Sequence, residues 1–336
     1  MRILCLLLLW VCAAQAQVVS LPAMRAGQVS VSGLSSGAYM AVQFEVAYSR
    51  TVMGAGIIAG GPYFCSQGSV FTATTSCSCT SDLFTCRVRA GGTRVPDLIA
   101  ITDWFAASQT IDPTSALASH RIWMFSGNAD SLVPQAVMND LQSYYRHYVD
   151  ASRILYKRYL GAEHAMPTDS YGNSCLTLGT PYINNCNYDA AGELLSWIHG
   201  PLNARNNGAL SGRFVAFDQS EFIALPSWHG MADFGYLYIP QACDNNAGQG
   251  CKLHVVFHGC LQDPDTIGTA FVRHAGYNAW ADSNRLLVLY PQATATYTNP
   301  NACWDWFAYD DTRYAQKSGR QMAAVKRMVD RLTTPP

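Results

Sequence analysis

An α/β fold, with a central, mostly parallel sheet flanked by helices, is predicted by three observations. Strand-like apolar runs alternate with helical stretches along most of the chain, the pattern of a parallel sheet covered on both faces. A tight turn, Gly33-Leu34-Ser35-Ser36-Gly37, joins a short strand to a helix near the start. Further on, one strand-like run leads into Asp130 and another into the loop carrying His164. With 336 residues, 49% of them hydrophobic, the chain can bury a full core.

The first segment stands apart from that fold. Met1-Arg2, the apolar run 3–14 and the small-x-small ending Ala14-Gln15-Ala16 form the pattern of a secretory signal peptide. Residues 1–16 are therefore expected to be a leader, and 17–336 a single catalytic domain. No other stretch reaches roughly 18 uninterrupted apolar residues, so no membrane span is expected. The destination predicted is extracellular, with the periplasm as the other possibility, and the molecule is expected to be a monomer. Charge is balanced, with 22 basic against 23 acidic side chains. No basic field is available to attract nucleic acid, which excludes it as a partner class.

The elements follow in order. The alternating segment 28–32 reads as a strand. Residues 38–47, strong helix formers with apolar positions three and four apart, read as a helix. The run 52–59 is a buried strand, ended by Gly60-Gly61-Pro62, and the cysteine-rich 65–86 reads as a surface insertion. A helix is expected over 97–107 and a buried strand over 121–126. A further helix carries Val137, Leu141, Tyr144 and Tyr145 on its apolar face, and a strand follows over 153–160. The helix 190–199 is closed by Gly200-Pro201, and 203–212 is an Asn/Gly-rich linker. Strands are predicted over 213–217, 234–239, 252–257 and 286–290. One long amphipathic helix is expected over 265–284 and a last one over 314–332.

Ten cysteines remain beyond the leader, an even number, which in an oxidising compartment reads as up to five disulfides. Cys175 with Cys186 and Cys243 with Cys251 each bracket a Gly/Asn-rich loop and are plausible local pairs. Cys77-x-Cys79 lacks zinc-site spacing and has no histidine nearby, so no metal is expected there.

The chemistry is concentrated in three places. G-x-S-x-G between a strand and a helix is a nucleophile elbow, where small neighbours let a serine occupy a strained turn with its hydroxyl exposed. Ser35, Asp130 and His164 then occur in the chain order serine, acid, histidine, each after a strand-like run, as an α/β-hydrolase requires. The His-Gly turn suited to an oxyanion loop, His258-Gly259-Cys260, comes more than two hundred residues after the serine rather than before it. Joining the final helix to the 28–32 strand restores the expected succession, so the fold predicted is a circularly permuted α/β-hydrolase, tolerable where chain ends lie close together.

These motifs resemble a known family. Gly33-Leu34-Ser35-Ser36-Gly37-Ala38-Tyr39-Met40, Gly127-x-x-Asp130-x-x-Val133-Pro134, Gly161-x-x-His164, Phe257-His258-Gly259-Cys260 and Cys303-Trp304 are similar to those of the circularly permuted, type 2 extracellular poly(3-hydroxybutyrate) depolymerases. No Thr-rich or fibronectin-like linker follows the catalytic part, which matches the single-domain form. The resemblance implies a secreted serine esterase acting on a polyester or its oligomers, without cofactor or metal. It also favours a Cys260–Cys303 disulfide and places Trp304 in contact with substrate, where an aromatic wall suits an uncharged chain of methyl-bearing esters.

In that scheme Ser35 attacks the ester carbonyl, His164 carries the proton and Asp130 orients the imidazole. The backbone N–H groups of Ser36 and Cys260 form the oxyanion hole. Asp112, Asp140 and Asp169 compete for the acid's role, and His199 and His258 are among the seven competing histidines. Fold alone does not set the substrate. A feruloyl or acetyl esterase on plant polysaccharide, or a binding protein that lost catalysis, are the alternatives.

Overall fold

The computed structural model describes residues 18–81 and 85–334; the expected leader lies outside them. In chain order the elements are β1 (Val29–Leu34), α1 (Ser36–Ala47), β2 (Val52–Ile58), α2 (Val70–Thr75), α3 (Val95–Ala107), β3 (Arg121–Phe125), α4 (Gln135–Tyr148), β4 (Ile154–Lys157), β5 (Met166–Thr168), β6 (Asn173–Ser174) and β7 (Ile183–Asn185). Then come α5 (Ala190–His199), β8 (Arg213–Asp218), β9 (Phe234–Ile239), α6 (Gln241–Asp244), β10 (Lys252–Phe257), α7 (Pro264–Ile267), α8 (Ala270–His274), α9 (Tyr277–Asn284), β11 (Leu286–Tyr290) and α10 (Arg320–Thr333).

Eight strands form the central sheet in the order β4-β3-β2-β1-β10-β11-β9-β8. The six from β4 to β11 pair in parallel, and β9 and β8 join antiparallel at one edge. Counted from β8 and continued through α10 into β1, neighbours in the sheet follow chain order except for one exchange, β11 lying before β10. The first strand, β1, therefore lies inside the sheet between β2 and β10 rather than at an edge, in keeping with a permuted chain. The two ends of the described chain are tied together. Met24 and Ala26 donate their N–H groups to the carbonyls of Arg331 and Leu332 at 3.1 and 2.9 Å.

The expected strands all form, with bounds within a few residues. Two helices differ. The long helix expected over 265–284 is three short ones, α7, α8 and α9, because Gly268 and Gly276 adopt φ of 58° and 95°, a left-handed conformation that breaks the helical ladder. The last helix starts only at Arg320, after turns through 314–319.

Every residue of α1 is buried. A helix apolar nearly all round belongs in the interior, and α1 packs against β1, β2 and β10. Its Glu45 is satisfied by His120 Nδ1 at 2.8 Å and by the Tyr145 hydroxyl. The alternating Val-Ser-Val-Ser of β1 is buried on both faces. Ser30 and Ser32 bond opposite ring nitrogens of His254 on β10, at 2.7 and 2.8 Å, so the polar face is internally satisfied. Among the described residues no helix is long and apolar enough to cross a membrane.

Candidate active site

The C-terminal end of β1 delivers Ser35 at φ 57° and ψ −123°, a strained conformation for a residue with a Cβ. Within 31–40 it alone is not fully buried. The flanking glycines are dictated by contact. A Cβ on Gly33 would lie 2.1 Å from the Gly37 carbonyl oxygen, and one on Gly37 would lie 2.3 Å from the carbonyl oxygens of Phe257 and His258. The turn can be this tight, and α1 can press this close to the end of β10, only without side chains at 33 and 37.

After β3, the chain turns through Gly127 to Asp130. A Cβ on Gly127 would strike the Ala162 carbonyl at 2.1 Å, so this turn packs directly on the loop that carries His164. The imidazole Nδ1–H donates to both carboxylate oxygens of Asp130, at 3.0 and 3.1 Å. Oδ1 also accepts the N–H groups of Leu132 and Val133 at 3.0 and 2.7 Å. Both side chains are buried. With Nδ1–H directed at the acid, Nε2 is the nitrogen left to exchange protons. No hydrogen bond joins Ser35 Oγ to His164 here, although both line the same cleft.

The end of β10 supplies the turn expected to hold an oxyanion. Ser36 and Cys260 line the cleft beside Ser35. Ser36 is the first residue of α1, where an N–H has no intrahelical acceptor, and among the described residues neither its N–H nor that of Cys260 has a backbone acceptor. The turn is braced from several sides. Cys260 is bonded to Cys303. His258 receives the Ala293 N–H on Nε2 at 3.0 Å and donates Nδ1–H to the Gly259 carbonyl at 2.7 Å, so it is a neutral ring with both nitrogens committed. Burial pushes its pKa down to about 4, opposed by the Gly259 hydrogen bond and by Asp263.

The cleft is about 340 Å³. Tyr39, Leu132, Val133, Tyr182, Trp306 and Phe307 form apolar walls around Ser35 and His164. Tyr39 and Trp306 stack with centroids 4.0 Å apart. Burial, with a smaller contribution from the Asp130 charge, holds the Tyr39 hydroxyl well above its usual pKa, and it donates to the Cys77 carbonyl.

Trp304 is not in this wall, which corrects the expectation that it touches substrate. It is fully buried under the oxyanion turn, its Nε1–H on the His258 carbonyl at 3.0 Å and its ring against Phe257 and His258. The indole in the cleft is Trp306, whose buried Nε1 has no protein partner among the described residues. The exposed Trp228 lies on a separate turn, 226–229.

The competing acids and histidines are committed elsewhere. Asp140 caps the 91–93 turn, Asp112 pairs with Lys317, and Asp169 with Arg205. His120 pairs with Glu45, His229 with Asp310, and His274 stacks on Tyr171. The five disulfides are Cys65–Cys77, Cys79–Cys86, Cys175–Cys186, Cys243–Cys251 and Cys260–Cys303, which places Cys77 and Cys79 in separate bridges.

Gln262 was not singled out from the sequence. Its Oε1 accepts the Gly259 N–H at 2.7 Å, and its Nε2 donates to the carbonyls of Pro181 and Tyr182 at 2.9 and 3.0 Å. It thus clamps the oxyanion turn to the loop beyond His164. A lone glutamine offers no pattern that could reveal this. Tyr39 lies two residues past the elbow, within the Gly33-to-Met40 run, but was assigned no role of its own from the sequence.

A strained serine between a parallel strand and a buried helix, with a histidine–carboxylate pair arriving from neighbouring strand ends, defines an α/β-hydrolase of the carboxylic ester class. No family model matches the chain. It is 46% identical over 328 residues to the poly(3-hydroxybutyrate) depolymerase of Delftia acidovorans, covering 95% of this chain and 64% of that protein. It is 39% identical over 339 residues to the polyhydroxybutyrate depolymerase of Talaromyces funiculosus, covering 96% and 95%. The PHB depolymerase of Penicillium funiculosum superposes with a TM-score of 0.84 at 38% identity, over 94% of this chain and 99% of that one. A serine-to-alanine variant of a PHB depolymerase complexed with an R3HB trimer superposes equally well. The chain belongs to the polyhydroxybutyrate depolymerase family.

Proposed function

We propose that this chain is a secreted, monomeric, single-domain esterase that hydrolyses the ester bonds of poly(3-hydroxybutyrate) or its oligomers, with Ser35, His164 and Asp130 as its triad. Ser35 Oγ attacks the ester carbonyl carbon while its proton passes to His164 Nε2. The resulting oxyanion is received by the N–H groups of Ser36 and Cys260, donors of a kind worth roughly 3 to 4 kcal/mol in other hydrolases. As the C–O bond breaks, His164 returns the proton to the departing hydroxyl end, leaving an acyl-Ser35. Water, deprotonated by the same imidazole, then attacks the acyl carbonyl and releases the acid. Asp130, fixed by two backbone N–H groups, holds the imidazole in the required tautomer and stabilises its cation.

The observation that carries the reading is the meeting, in one apolar cleft, of the strained Ser35 with the Asp130–His164 pair. An ester chain carries carbonyl oxygens and methyl groups but no charge. The walls formed by Tyr39, Trp306 and Phe307 suit its methyls. A trimer of the same ester unit bound to a structural relative supports the substrate class. The five disulfides support passage through an oxidising compartment.

Clearing of amorphous polyhydroxybutyrate suspensions tests the reading. Ser35→Ala should abolish clearing and lose the adduct that a serine-directed phosphonate forms on the native protein. Release of ferulate or acetate from polysaccharide without any clearing would sink the substrate assignment.

A further inference from the structure

Asp305 is buried behind the aromatic wall of the cleft, 3% exposed. Its Oδ1 accepts the N–H of Tyr309 at 3.0 Å, and its Oδ2 accepts those of Asp310 and Asp311 at 3.3 and 3.0 Å. Its own backbone is pinned on both sides. The N–H donates to Gln321 Oε1 on α10 at 2.9 Å, and the carbonyl accepts Gln43 Nε2 on α1 at 3.1 Å. Residues 305–311 are thus folded around one carboxylate, and the side chains they present to the cleft are Trp306 and Phe307.

We propose that Asp305 is a positioning residue for substrate binding: by gathering three backbone N–H groups it holds Trp306 and Phe307 in the cleft wall, and its protonation loosens that wall. The inference rests on the reading of the cleft as a 3-hydroxybutyrate ester site. An ionised carboxylate has lone pairs for all three donors. Protonation turns one oxygen into a donor facing N–H groups, and the turn loses an anchor. The neighbouring charges do not relieve it. Arg320 of α10 and His229 of the 226–229 turn both bind Asp310 Oδ1, and Arg313 lies against Asp311. The Tyr309 hydroxyl donates to the Cys303 carbonyl, and Gln43 and Gln321 are neutral. Burial pushes the Asp305 carboxyl up to about 7 against the pull of the three N–H groups, with the Asp310 charge adding to the rise. The anchor is therefore set to titrate near neutrality.

The test is equilibrium binding of a 3-hydroxybutyrate trimer to the full-length Ser35→Ala protein, with and without Asp305→Asn, from pH 8 to 5. In the Ser35→Ala protein Kd should weaken about tenfold as pH falls, the response of one proton-linked group. Adding Asp305→Asn should give weak binding at every pH and no such response. In the otherwise native enzyme, Asp305→Asn should raise KM for a soluble oligomer while kcat stays within about twofold, the mark of lost uniform binding. Parallel pH curves with and without Asp305→Asn would overturn the proposal. A flat curve in the Ser35→Ala protein would overturn it even if Asp305→Asn failed to fold. Trimer binding that is present but flat removes this inference alone; no binding at any pH removes the substrate reading and this inference with it.

Discussion

The backbone N–H of Ala26 donates to the carbonyl of Leu332 at 2.9 Å. Residues from opposite ends of the described chain thus share one hydrogen bond, beside the strand that carries the serine. Arg331 extends the seam, its guanidinium reaching the Leu21 carbonyl and Glu221. A covalent break at this point leaves the sheet intact because the two sides are held by these bonds and by the packing of α10 under β10.

A circular permutant follows from that seam. Joining 334 to 18 through a short Gly/Ser linker and opening the chain at the exposed 207–208 loop should yield a folded protein, since surface loops with few crossing contacts tolerate new ends. Its ester hydrolysis should fall within about threefold of the parent, because no cleft residue moves. Insoluble or unfolded permutant would contradict the account of the seam.

The two neighbouring indoles should behave differently. Trp306→Ala removes a cleft wall, so KM should rise about tenfold or more; because the ring is buried and stacked on Tyr39, melting temperature should fall as well. Trp304→Ala opens a void beneath the oxyanion turn and should destabilise the protein by about 3 to 5 kcal/mol. Steady-state kinetics beside thermal denaturation would separate them, and a reversed pattern would put the substrate on the wrong side of the wall.

Glu45 and His120 form a second buried acid–histidine pair, remote from the cleft. His120 Nε2–H donates to the Ser49 carbonyl at 2.9 Å, and Nδ1 shares a hydrogen bond with Glu45 Oε1 at 2.8 Å. Removing one partner leaves a buried polar group unsatisfied, at a cost of about 1 to 3 kcal/mol. Glu45→Gln should therefore lower the denaturation midpoint while the folded enzyme keeps its kcat. Loss of kcat at full stability would mean that this pair takes part in catalysis.

Acid sensitivity should set in well above the ordinary carboxylate range. Burial holds His258 at about 4 and His199 at about 3, and keeps His254 well below its usual value. The unfolded chain takes up protons at these rings from about pH 6.5 downward, while the folded chain refuses them. Their contribution is complete above about pH 6.5 and is lost as pH falls toward 4, by roughly 1.4 kcal/mol per pH unit per fully titrating group. Asp305 acts in the opposite sense between about 4 and 7, and one group does not cancel three. Melting temperature should drop steadily from pH 7 to pH 4.5; a flat profile would show that these rings are hydrated or protonated in the native state.

Much of the fold was legible because its signals are local. Strands such as 252–257 and 286–290 are short apolar runs bounded by turn formers, and the elbow is a matter of steric room at Gly33 and Gly37. Asp130 and His164 could be ranked by their order after strands. Gly268 and Gly276 were equally visible, yet the apolar period over 265–284 hid the breaks that their positive φ imposes.

The sequence by itself determined the α/β alternation, the elbow at Ser35 and the displaced order that implies a permuted chain, since each depends on spacing along the backbone. Tertiary structure alone decided which indole faces the cleft, that Gln262 clamps the oxyanion turn, and that Asp305 gathers the turn behind the wall. Those outcomes depend on partners brought from distant strands and helices. Trp304 and Trp306 stand two residues apart with similar neighbours; only the approach of His258 from β10 and Tyr39 from α1 makes one a buried brace and the other a wall.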